Sequence, residues 1–571
     1  MERFKKWWSE DKRYLTLIKA GMMALLPVLC CLITCAVQGK TIGEVYLPSS
    51  EWNDELFYFK QVEGIVNYGF PQGYFGFNES HALKLSFAAW SPVLVWPWIL
   101  WGLIFGWNLM SPIICNIVLL TLAMFLFVWL VKPTWKQLGI LTFLFSLYTL
   151  FPRYLLSGMP EIICFSMLIV FYGLAVNYLE KERTYKLVLL FVMSGLLVLM
   201  RPYMLLFLLL PICLWVRRRK WKGLIGSGAV LVGVLGCYAL IKHELGAEYF
   251  APLFFTEWIT TFFEKGLLAG IHNFFGTLYY MGRNFLGHTV EGFRSGLASG
   301  AFFGGYLLMM AILLWQSFAD GRKLRREIRQ ELVNAQRKTG AQQDIGVQQK
   351  TDAQQDIAAK QKMGAQPEQK HAPGLRTRLV VEAHLAFAFV GMLFALLLMY
   401  KLTEGSKHLL TFMAVGIFIV SLMDTVYFKK VVLLGAAFAF LYSYRAVEPY
   451  DYQIPFAEQE RTAQIAYWEE IFDSNLKLVE EDVPNYENVV IWTFGDTVSG
   501  KSINEKWQLL YCLPEGFGIS CCMPDYVTEH LDELQSRYLT TVAGGTIERL
   551  CEESGYREIA RDADMVLYER Y

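Results

Sequence analysis

The chain has 571 residues, of which 54% are apolar and 18% charged, and its 52 basic residues balance its 52 acidic ones. This composition excludes a soluble protein of this size, and the zero net charge gives no electrostatic reason to expect a nucleic-acid partner. Apolar runs of roughly 17–25 residues recur, which is the length that a helix needs to cross a bilayer. We therefore expect a polytopic α-helical protein of the plasma membrane.

Basic clusters orient the predicted spans. The N-terminal segment MERFKKWWSEDKRY is basic, so the positive-inside rule places it in the cytoplasm. The first apolar run lacks a small-residue cleavage site and is expected to remain as a membrane helix. A scheme of eleven spans keeps every later basic cluster inside and places the C-terminus outside. The spans are 21–37, 112–131, 138–151, 162–179, 187–200, 203–216, 223–241, 301–318, 379–400, 409–424 and 431–444.

The apolar segment 87–105 is left out of this scheme. It contains two prolines, and the stretch from 90 to 107 contains five tryptophans, a pattern that favours a helix lying in the interface or re-entering it. Counting the segment as a span would place the basic sequence RRRKWK outside.

The first outer loop, 38–111, contains the stretch EWNDELFYFKQVEGIVNYGFPQGYFGFNESHALK. Asp54 and Glu55 lie near its start, and His81 and Lys84 lie at its end. Carboxylates beside a bilayer, followed by a cationic pair, suit a site that handles a polar substrate attached to a lipid. A solvated loop whose acids face water is the alternative.

Two further charged residues lie at the outer ends of predicted helices. Glu161 follows Pro160, where a carboxylate also complements the positive end of the helix dipole. Arg201 lies between two apolar helices and either faces a partner or cavity or snorkels to the interface. The outer cationic side chains that together could hold an anionic head group are Lys84, Arg201, Lys407 and His408.

The remaining loops carry no predicted chemistry. Segment 319–378 is cytoplasmic and contains the repeated sequence AQQDI. It is too poor in apolar residues to order itself, apart from a helical extension over 323–336, and is expected to be a disordered insert. The outer loop 243–300 is rich in aromatics and glycine, which suggests short interfacial helices.

From residue 447 the composition becomes that of a soluble protein, so the chain divides into a transmembrane domain, 1–446, and an extracytoplasmic domain, 447–571. The predicted strands of this second domain are 488–494, 508–513, 518–522, 538–542 and 558–568, and its predicted helices are 461–479 and 546–554. They indicate a small α/β domain. Its cysteines, Cys512, Cys521, Cys522 and Cys551, could form disulfides on an oxidising side of the membrane.

One motif in this domain could be either a phosphate-binding loop or a turn. The sequence GDTVSGKS, 495–502, matches the phosphate-binding pattern GxxxxGK[ST] and follows a predicted strand. The stretch after it is short for the helix that the motif needs, and the domain is small for a nucleotide-binding core. We interpret the match as a turn.

Taken in chain order, several segments form a series. The pair Asp54-Glu55 is followed by ESHALKLSFAAWSPVLVWPWILWGLIFGWN, by SGMPE with Glu161, by LMRPYMLLFLLLPI, and by the helix start GSKHLL. In this order the segments resemble the polytopic GT-C glycosyltransferases, similar to bacterial aminoarabinose transferases and protein O-mannosyltransferases. The proline pair that is usual after the His/Lys element is absent. The resemblance covers about residues 10–445.

The resemblance implies transfer of a sugar from a polyprenyl-phosphate donor to an extracytoplasmic glycan, lipid or protein acceptor, with inversion at the anomeric carbon. Asp54 would be the general base, Glu55 a second candidate, and Glu161 would orient the acceptor or share the task. No nucleotide-sugar site and no metal-ligand set are predicted, although relatives differ in their use of a divalent metal such as Mg²⁺ or Mn²⁺. The side chains implied in binding the donor phosphate are His81, Lys84, Arg201, Lys407 and His408.

Two other functions remain open. A polymerase or ligase of lipid-linked glycans would share the outer-face chemistry. A transporter of a lipid-linked glycan would favour internal repeats and polar residues near mid-membrane, whereas the charges here collect at the outer edge.

Overall fold

The computed structural model describes residues 13–48, 54–69, 75–79, 92–148, 150–245, 257–295, 297–344, 374–399, 405–422, 458–472, 486–514 and 517–570. The helices of the first half are α1 (Arg13–Ala24), α2 (Leu26–Val37), α3 (Asp54–Tyr68), α4 (Trp96–Phe105), α5 (Ser111–Val131), α6 (Trp135–Leu147), α7 (Leu150–Leu155), α8 (Glu161–Glu180), α9 (Thr184–Met200), α10 (Leu205–Arg219) and α11 (Trp221–Leu245). Those of the second half are α12 (Glu257–Lys265), α13 (Leu267–Ser295), α14 (Leu297–Asp344), α15 (Leu375–Met399), α16 (Gly405–Ser421), α17 (Glu458–Phe472), α18 (Pro524–His530) and α19 (Thr546–Glu553). The strands are β1 (Phe75–Phe77), β2 (Val489–Thr493), β3 (Thr497–Val498), β4 (Lys501–Ser502), β5 (Gly518–Cys522), β6 (Tyr538–Val542), β7 (Arg557–Arg561) and β8 (Met565–Glu569).

Five of the described helical segments are long and apolar enough to cross a bilayer: Tyr14–Val37, Ser111–Val131, Glu161–Glu180, Trp221–Glu244 and Leu375–Ala395. Shorter apolar helices cover Pro92–Phe105, Thr184–Met200 and Thr411–Ser421. Each predicted span from 21–37 to 409–424 overlaps a described helix, although 138–151 is divided between α6 and α7. Residues 149, 400, 423 and 424 of these spans and the whole of 431–444 lie outside the described residues. The chain is a polytopic membrane protein by the length and composition of its helices.

Helix α4 is too short to cross. It contains ten residues and follows a 3₁₀ turn over Pro92–Val95. Ten helical residues extend about 15 Å, half the thickness of the hydrocarbon. This length agrees with the interpretation of 87–105 as a segment that does not span.

Helices α13 and α14 are both longer than predicted. The 29 residues of α13 contradict the expectation of short helices in the loop 243–300, whereas α12 in the same loop has nine residues. Helix α13 has no proline, and glycine alone weakens a helix without ending it. Helix α14 has 48 residues and continues through the predicted extension 323–336 to Asp344, so the expectation of disorder is wrong for 319–322 and 337–344. Most of the repeat region lies outside the described residues.

The centre of the helical bundle is the contact between α5 and α8, the most extensive one between two described helices. Gly173 of α8 lies at this contact, where a Cβ atom would meet Leu130 Cδ1 at a tight 3.2 Å and the Cα atom of Phe127 at an ordinary 3.5 Å. The ring of Phe418 packs edge-on against Phe127, Phe145 and Phe165, with centroids 5.1, 5.9 and 5.6 Å apart. This packing fixes the start of α8 relative to its neighbours.

The C-terminal domain contains a six-stranded sheet in the order β1-β5-β2-β6-β8-β7. The first four strands are parallel, and β8 and β7 add antiparallel pairs. Strands β2, β5, β6 and β8 are buried along their whole length, which their largely apolar sequences favour. The edge strand β1 comes from the first loop, some 400 residues earlier in the chain, which the division at residue 447 did not anticipate.

The two faces of this sheet are covered differently. Ile491, Leu539 and Val566 face a small core under α18 and α19. Val490 and Trp492 point to the other face, where the core continues into the helical bundle without interruption. The C-terminal domain is therefore packed onto the bundle.

Two predicted elements of this domain are wrong. Segment 508–513 is not a strand but part of a 3₁₀ helix, Ile503–Cys512. Its buried side chains Ile503, Trp507 and Leu510 recur at helical spacing, which outweighs the β propensity of the segment. The predicted strand 558–568 is two strands, because the Asp562 carboxylate accepts hydrogen bonds from the backbone of residues 564 and 565 and forms a turn.

All eleven cysteines lie among the described residues, and none of them forms a disulfide. Cys512, Cys521, Cys522 and Cys551 are buried in the C-terminal domain. The suggestion of disulfides among them is therefore wrong for this structure. They act as small apolar side chains in the two cores.

Candidate active site

An ion pair between Glu161 and Arg201 is the centre of the site. A Glu161 carboxylate oxygen lies 2.9 Å from Arg201 Nη2, and both residues are only 1% exposed. Glu161 begins α8 and Arg201 follows the last residue of α9, so these consecutive helices bring them to the same end of the bundle. We call this end the site end. The interpretation of Arg201 as a side chain that snorkels into water is wrong.

The guanidinium group of Arg201 has a second partner. Its Nη1 donates a hydrogen bond of 2.9 Å to the hydroxyl oxygen of Tyr203, which is also buried. Arg201 therefore neutralises and orients Glu161 rather than standing ready as an isolated cation for a phosphate group. The sequence offered no signal for Tyr203 beyond its position two residues after the arginine.

The carboxylate of Glu161 is only half satisfied. Oxygen Oε1 accepts the bond from Arg201, whereas the buried oxygen Oε2 has no hydrogen-bond partner among the described residues. Buried carboxylate oxygens are rarely left without a donor. The open oxygen suits a hydroxyl or amine group of a bound molecule.

The charges of Asp54 and Glu161 both act on a third side chain, the buried phenol of Tyr58 in α3. Burial raises the pKa of Tyr58, Arg201 opposes the shift, and both Asp54 and Glu161 add to it. The two acids, which come from separate segments, therefore lie within electrostatic range of one hydroxyl group at the site end. Asp54 is the first residue of α3 and is partly exposed, whereas Tyr58 is only 3% exposed.

Glu55 has a different environment from Asp54. It is fully buried, and its Oε1 accepts a hydrogen bond of 2.8 Å from the backbone nitrogen of Gly158. The same turn is held from the other side by Asn116, whose amide donates to the carbonyl oxygen of Ser157 at 3.0 Å. Glu55 therefore positions the turn that precedes Glu161, a role that the sequence could not distinguish from that of its neighbour.

Four of the cations implied in binding the donor phosphate remain undescribed. His81 and Lys84 lie outside the described residues. Lys407 and His408 lie in the first turn of α16, and their side chains are not described. Their assignment to a phosphate stays a prediction.

The sequence 495–502 forms a turn. Strands β3 and β4 pair across Ser499 and Gly500, both with positive φ, at 52° and 84°. Lys501 forms an ion pair with Asp564 at 3.0 Å, and the segment that follows is a 3₁₀ helix rather than an α-helix. This geometry confirms the interpretation of the motif as a turn.

The described part of the chain contains no group of three or more His, Cys, Asp or Glu residues that could hold a metal ion. A buried histidine that the sequence reasoning missed lies elsewhere, in α15. Its Nδ1 forms a hydrogen bond with the hydroxyl of Tyr172, and the Nε2 of His384 forms one with the carbonyl oxygen of Leu206, both at 3.0 Å. A histidine inside a predicted span was a signal that could have indicated it.

The fold and the site define a polytopic membrane protein with a buried charged cluster at one end of its helices. No protein-family model matches the chain, and no curated protein sequence matches it. Among solved structures, the chain is similar to ArnT from Cupriavidus metallidurans bound to undecaprenyl phosphate. The similarity covers 96% of this chain and 97% of that chain, with 10% sequence identity and a TM-score of 0.39.

Proposed function

We propose that the protein is a membrane glycosyltransferase that moves a sugar from a polyprenyl-phosphate donor to an acceptor hydroxyl or amine, with inversion at the anomeric carbon. The observation that carries this proposal is the buried ion pair of Glu161 and Arg201 at the site end, with Asp54 close enough for its charge to act on the same phenol, Tyr58, as that of Glu161. Acids from separate segments beside an apolar bundle suit the deprotonation of a polar acceptor next to a lipid-linked donor.

In the proposed reaction, the carboxylate of Asp54 takes the proton from the acceptor hydroxyl or amine. The freed electron pair forms the new bond to the anomeric carbon, and the bond from that carbon to the phosphate oxygen breaks. The polyprenyl phosphate leaves as an anion and needs charge stabilisation rather than a strong acid. Attack from the face opposite the leaving group inverts the anomeric carbon.

Glu161 would hold the acceptor in this reaction. Its open oxygen Oε2 can accept a hydrogen bond from a hydroxyl or amine, and its ion pair with Arg201 keeps the carboxylate charged while it is buried. Glu55 would not touch the acceptor but would position Glu161, through its hydrogen bond to the turn at Gly158.

The phosphate would be bound by the cations that begin α16, Lys407 and His408, together with His81 and Lys84 of the first loop. In this proposal the site end faces the extracytoplasmic side, where the positive-inside rule places it. The acceptor is then a glycan, lipid or protein of the cell envelope.

The test compares surface glycans and lipid-linked sugars in three strains: the deletion strain, and the same strain carrying either the wild-type gene or the Asp54→Asn gene. The deletion strain without a gene copy should accumulate a monosaccharide carrier and an unmodified acceptor. Asp54→Asn should lower the transfer rate by about 10²-fold or more, because a positioned general base contributes about that factor. Mass analysis of the two lipid and glycan pools measures both effects.

Glu63→Gln is the matched control, since it makes the same carboxylate-to-amide change in the same helix at a residue that pairs with Lys60. It should complement the deletion. No change in either pool on deletion, or full transfer by Asp54→Asn, would contradict the proposal and favour a transporter.

A further inference from the structure

Helix α3, which begins with Asp54, lies against the C-terminal domain. The ring of Phe57 is 5.8 Å from that of Phe494, and the ring of Phe59 is 5.6 Å from that of Tyr511. Phe494 follows β2, and Tyr511 belongs to the 3₁₀ helix after β4. The C-terminal domain therefore packs on the helix that carries the proposed general base.

The chain that follows α3 is also fixed to this domain. Strand β1 pairs with β5, and the Glu79 carboxylate accepts hydrogen bonds from the backbone nitrogens of Gln535 and Ser536 at 2.9 and 2.6 Å. The first loop is thus attached to the C-terminal domain at two places, through α3 and through β1 with Glu79. The contact between Tyr511 and Phe59 of α3 is therefore fixed by the fold.

The hydroxyl group of Tyr511 is buried and has no hydrogen-bond partner among the described residues, although the residue is only 6% exposed. Burial raises the pKa of Tyr511, and the charges of Glu55 and Asp54 raise it further. The hydroxyl is therefore neutral at physiological pH and lies within electrostatic range of both carboxylates.

A neighbouring polar group in the same layer is fully satisfied. The indole nitrogen of Trp468 donates to the carbonyl of Leu509 at 2.7 Å, two residues before Tyr511. Buried hydroxyl groups are seldom kept without a partner, and each exception requires an explanation. A molecule bound at the site end that reaches this hydroxyl would supply the missing partner.

We propose that the Tyr511 hydroxyl hydrogen-bonds the acceptor beside Asp54, so that the C-terminal domain forms one wall of the acceptor site. The inference rests on the proposed function and names a residue of the same site. A phenol both donates and accepts, which suits an acceptor that carries several hydroxyl or amine groups. The ring of Phe59 fixes the orientation of the phenol.

The test is Tyr511→Phe, which removes the hydroxyl group and keeps the ring against Phe59. Purified full-length protein is assayed with the monosaccharide carrier extracted from the deletion strain and with envelope from that strain as acceptor. The half-saturating amount of envelope should rise about five- to tenfold, the value for one lost hydrogen bond. The half-saturating concentration of the carrier should not change.

Tyr568→Phe is the matched control, because it deletes another buried hydroxyl without a partner, on the sheet face covered by α18 and α19. It should leave both values unchanged. An unchanged envelope requirement in Tyr511→Phe overturns the inference even if the thermal midpoint falls, since a purely structural loss lowers stability without changing acceptor saturation. If the wild-type protein transfers no sugar, the proposed function fails and this inference fails with it; if it does, only the Tyr511 result decides.

Discussion

Glu161 is buried together with its ion-pair partner Arg201. The free-energy cost of burying these charges determines how mutations of the site affect stability. Taking an ion pair out of water requires that each charge keep its partner. Arg201 meets this requirement for Glu161, and its Nη1 also donates a hydrogen bond to the Tyr203 hydroxyl. The site is therefore sensitive to the loss of either member and more tolerant of the loss of both.

Arg201→Met should lower the free energy of unfolding by roughly 3–5 kcal/mol, because it leaves Glu161 as an uncompensated buried charge. The double variant Glu161→Gln/Arg201→Met should recover most of this loss. Thermal and denaturant unfolding of the detergent-purified protein measures both.

Arg217→Met supplies the comparison at the other end of α10. Arg217 pairs with Glu182 at the surface, where the two side chains are 36% and 42% exposed. Its removal should cost less than about 1 kcal/mol. Equal losses for Arg201→Met and Arg217→Met would contradict the buried-pair argument.

At the scale of elements, the short strand β1 joins the first loop to the sheet of the C-terminal domain. Three residue pairs, from Phe75↔Ile519 to Phe77↔Cys521, are too few to hold a strand by themselves. Glu79 adds the missing attachment, because its carboxylate also accepts a bond of 2.6 Å from the Ser536 hydroxyl. Hydrogen bonds to a charged group are stronger than those between neutral groups.

Glu79→Ala should weaken this attachment by roughly 1.5–3 kcal/mol, the range for a hydrogen bond to a charged group. Amide exchange at residues 75–77 should become faster, while exchange in β6 and β8 stays slow. Hydrogen-exchange mass spectrometry of the full chain measures both regions.

Glu553→Ala removes an exposed carboxylate at the end of α19 and should leave the exchange at 75–77 unchanged. Unaltered exchange at residues 75–77 in Glu79→Ala would show that the strand pairing alone holds the loop.

At the scale of the whole molecule, one continuous core joins the helical bundle to the sheet. The face of the sheet that carries Val490 and Trp492 shares this core with α3 and with the helices of the bundle. Loss of structure in the C-terminal domain should therefore reach the site end. The acid sensitivity of the domain provides a way to observe this coupling.

Two carboxylates, Glu569 and Asp562, stabilise the hairpin of β7 and β8 in that domain. Burial acts to raise the pKa of Glu569, but hydrogen bonds from Arg537 and Arg557 outweigh it and hold that pKa below its usual value. Burial likewise opposes the lowered pKa of Asp562, which results from backbone hydrogen bonds and from Lys506. A pKa that is lower in the folded state gives stability that is complete above the unfolded-state value and is lost as the pH falls through the folded-state value.

The stability of the domain should therefore be constant from neutral pH to about pH 5 and fall below about pH 4, near the ordinary pKa values of these groups. Tryptophan fluorescence of the full chain during acid titration measures the transition. Glu569→Gln should be less stable at neutral pH and show a shallower acid limb. An equally steep limb in that variant would remove Glu569 from the explanation.

The sequence alone determined the elements that depend on local composition. Apolar runs long enough to cross a bilayer mark helices wherever they occur, so the predicted spans from 21–37 to 409–424 overlap described helices. Strands β5 and β6 were predicted at their observed bounds, because their short runs rich in apolar and β-branched residues favour strands. The segment 508–513 was misread because its periodicity is short and its residues also favour strands.

Only the tertiary structure decided which distant residues meet. Glu161 and Arg201 are 40 residues apart, and their pairing depends on two helices placing their adjoining ends side by side. The same is true of β1 with β5 and of Tyr511 with Phe59, where the separation exceeds 400 residues. A sequence shows which side chains carry charge, but whether a charge faces water, a partner or an open space depends on long-range packing that no local pattern records.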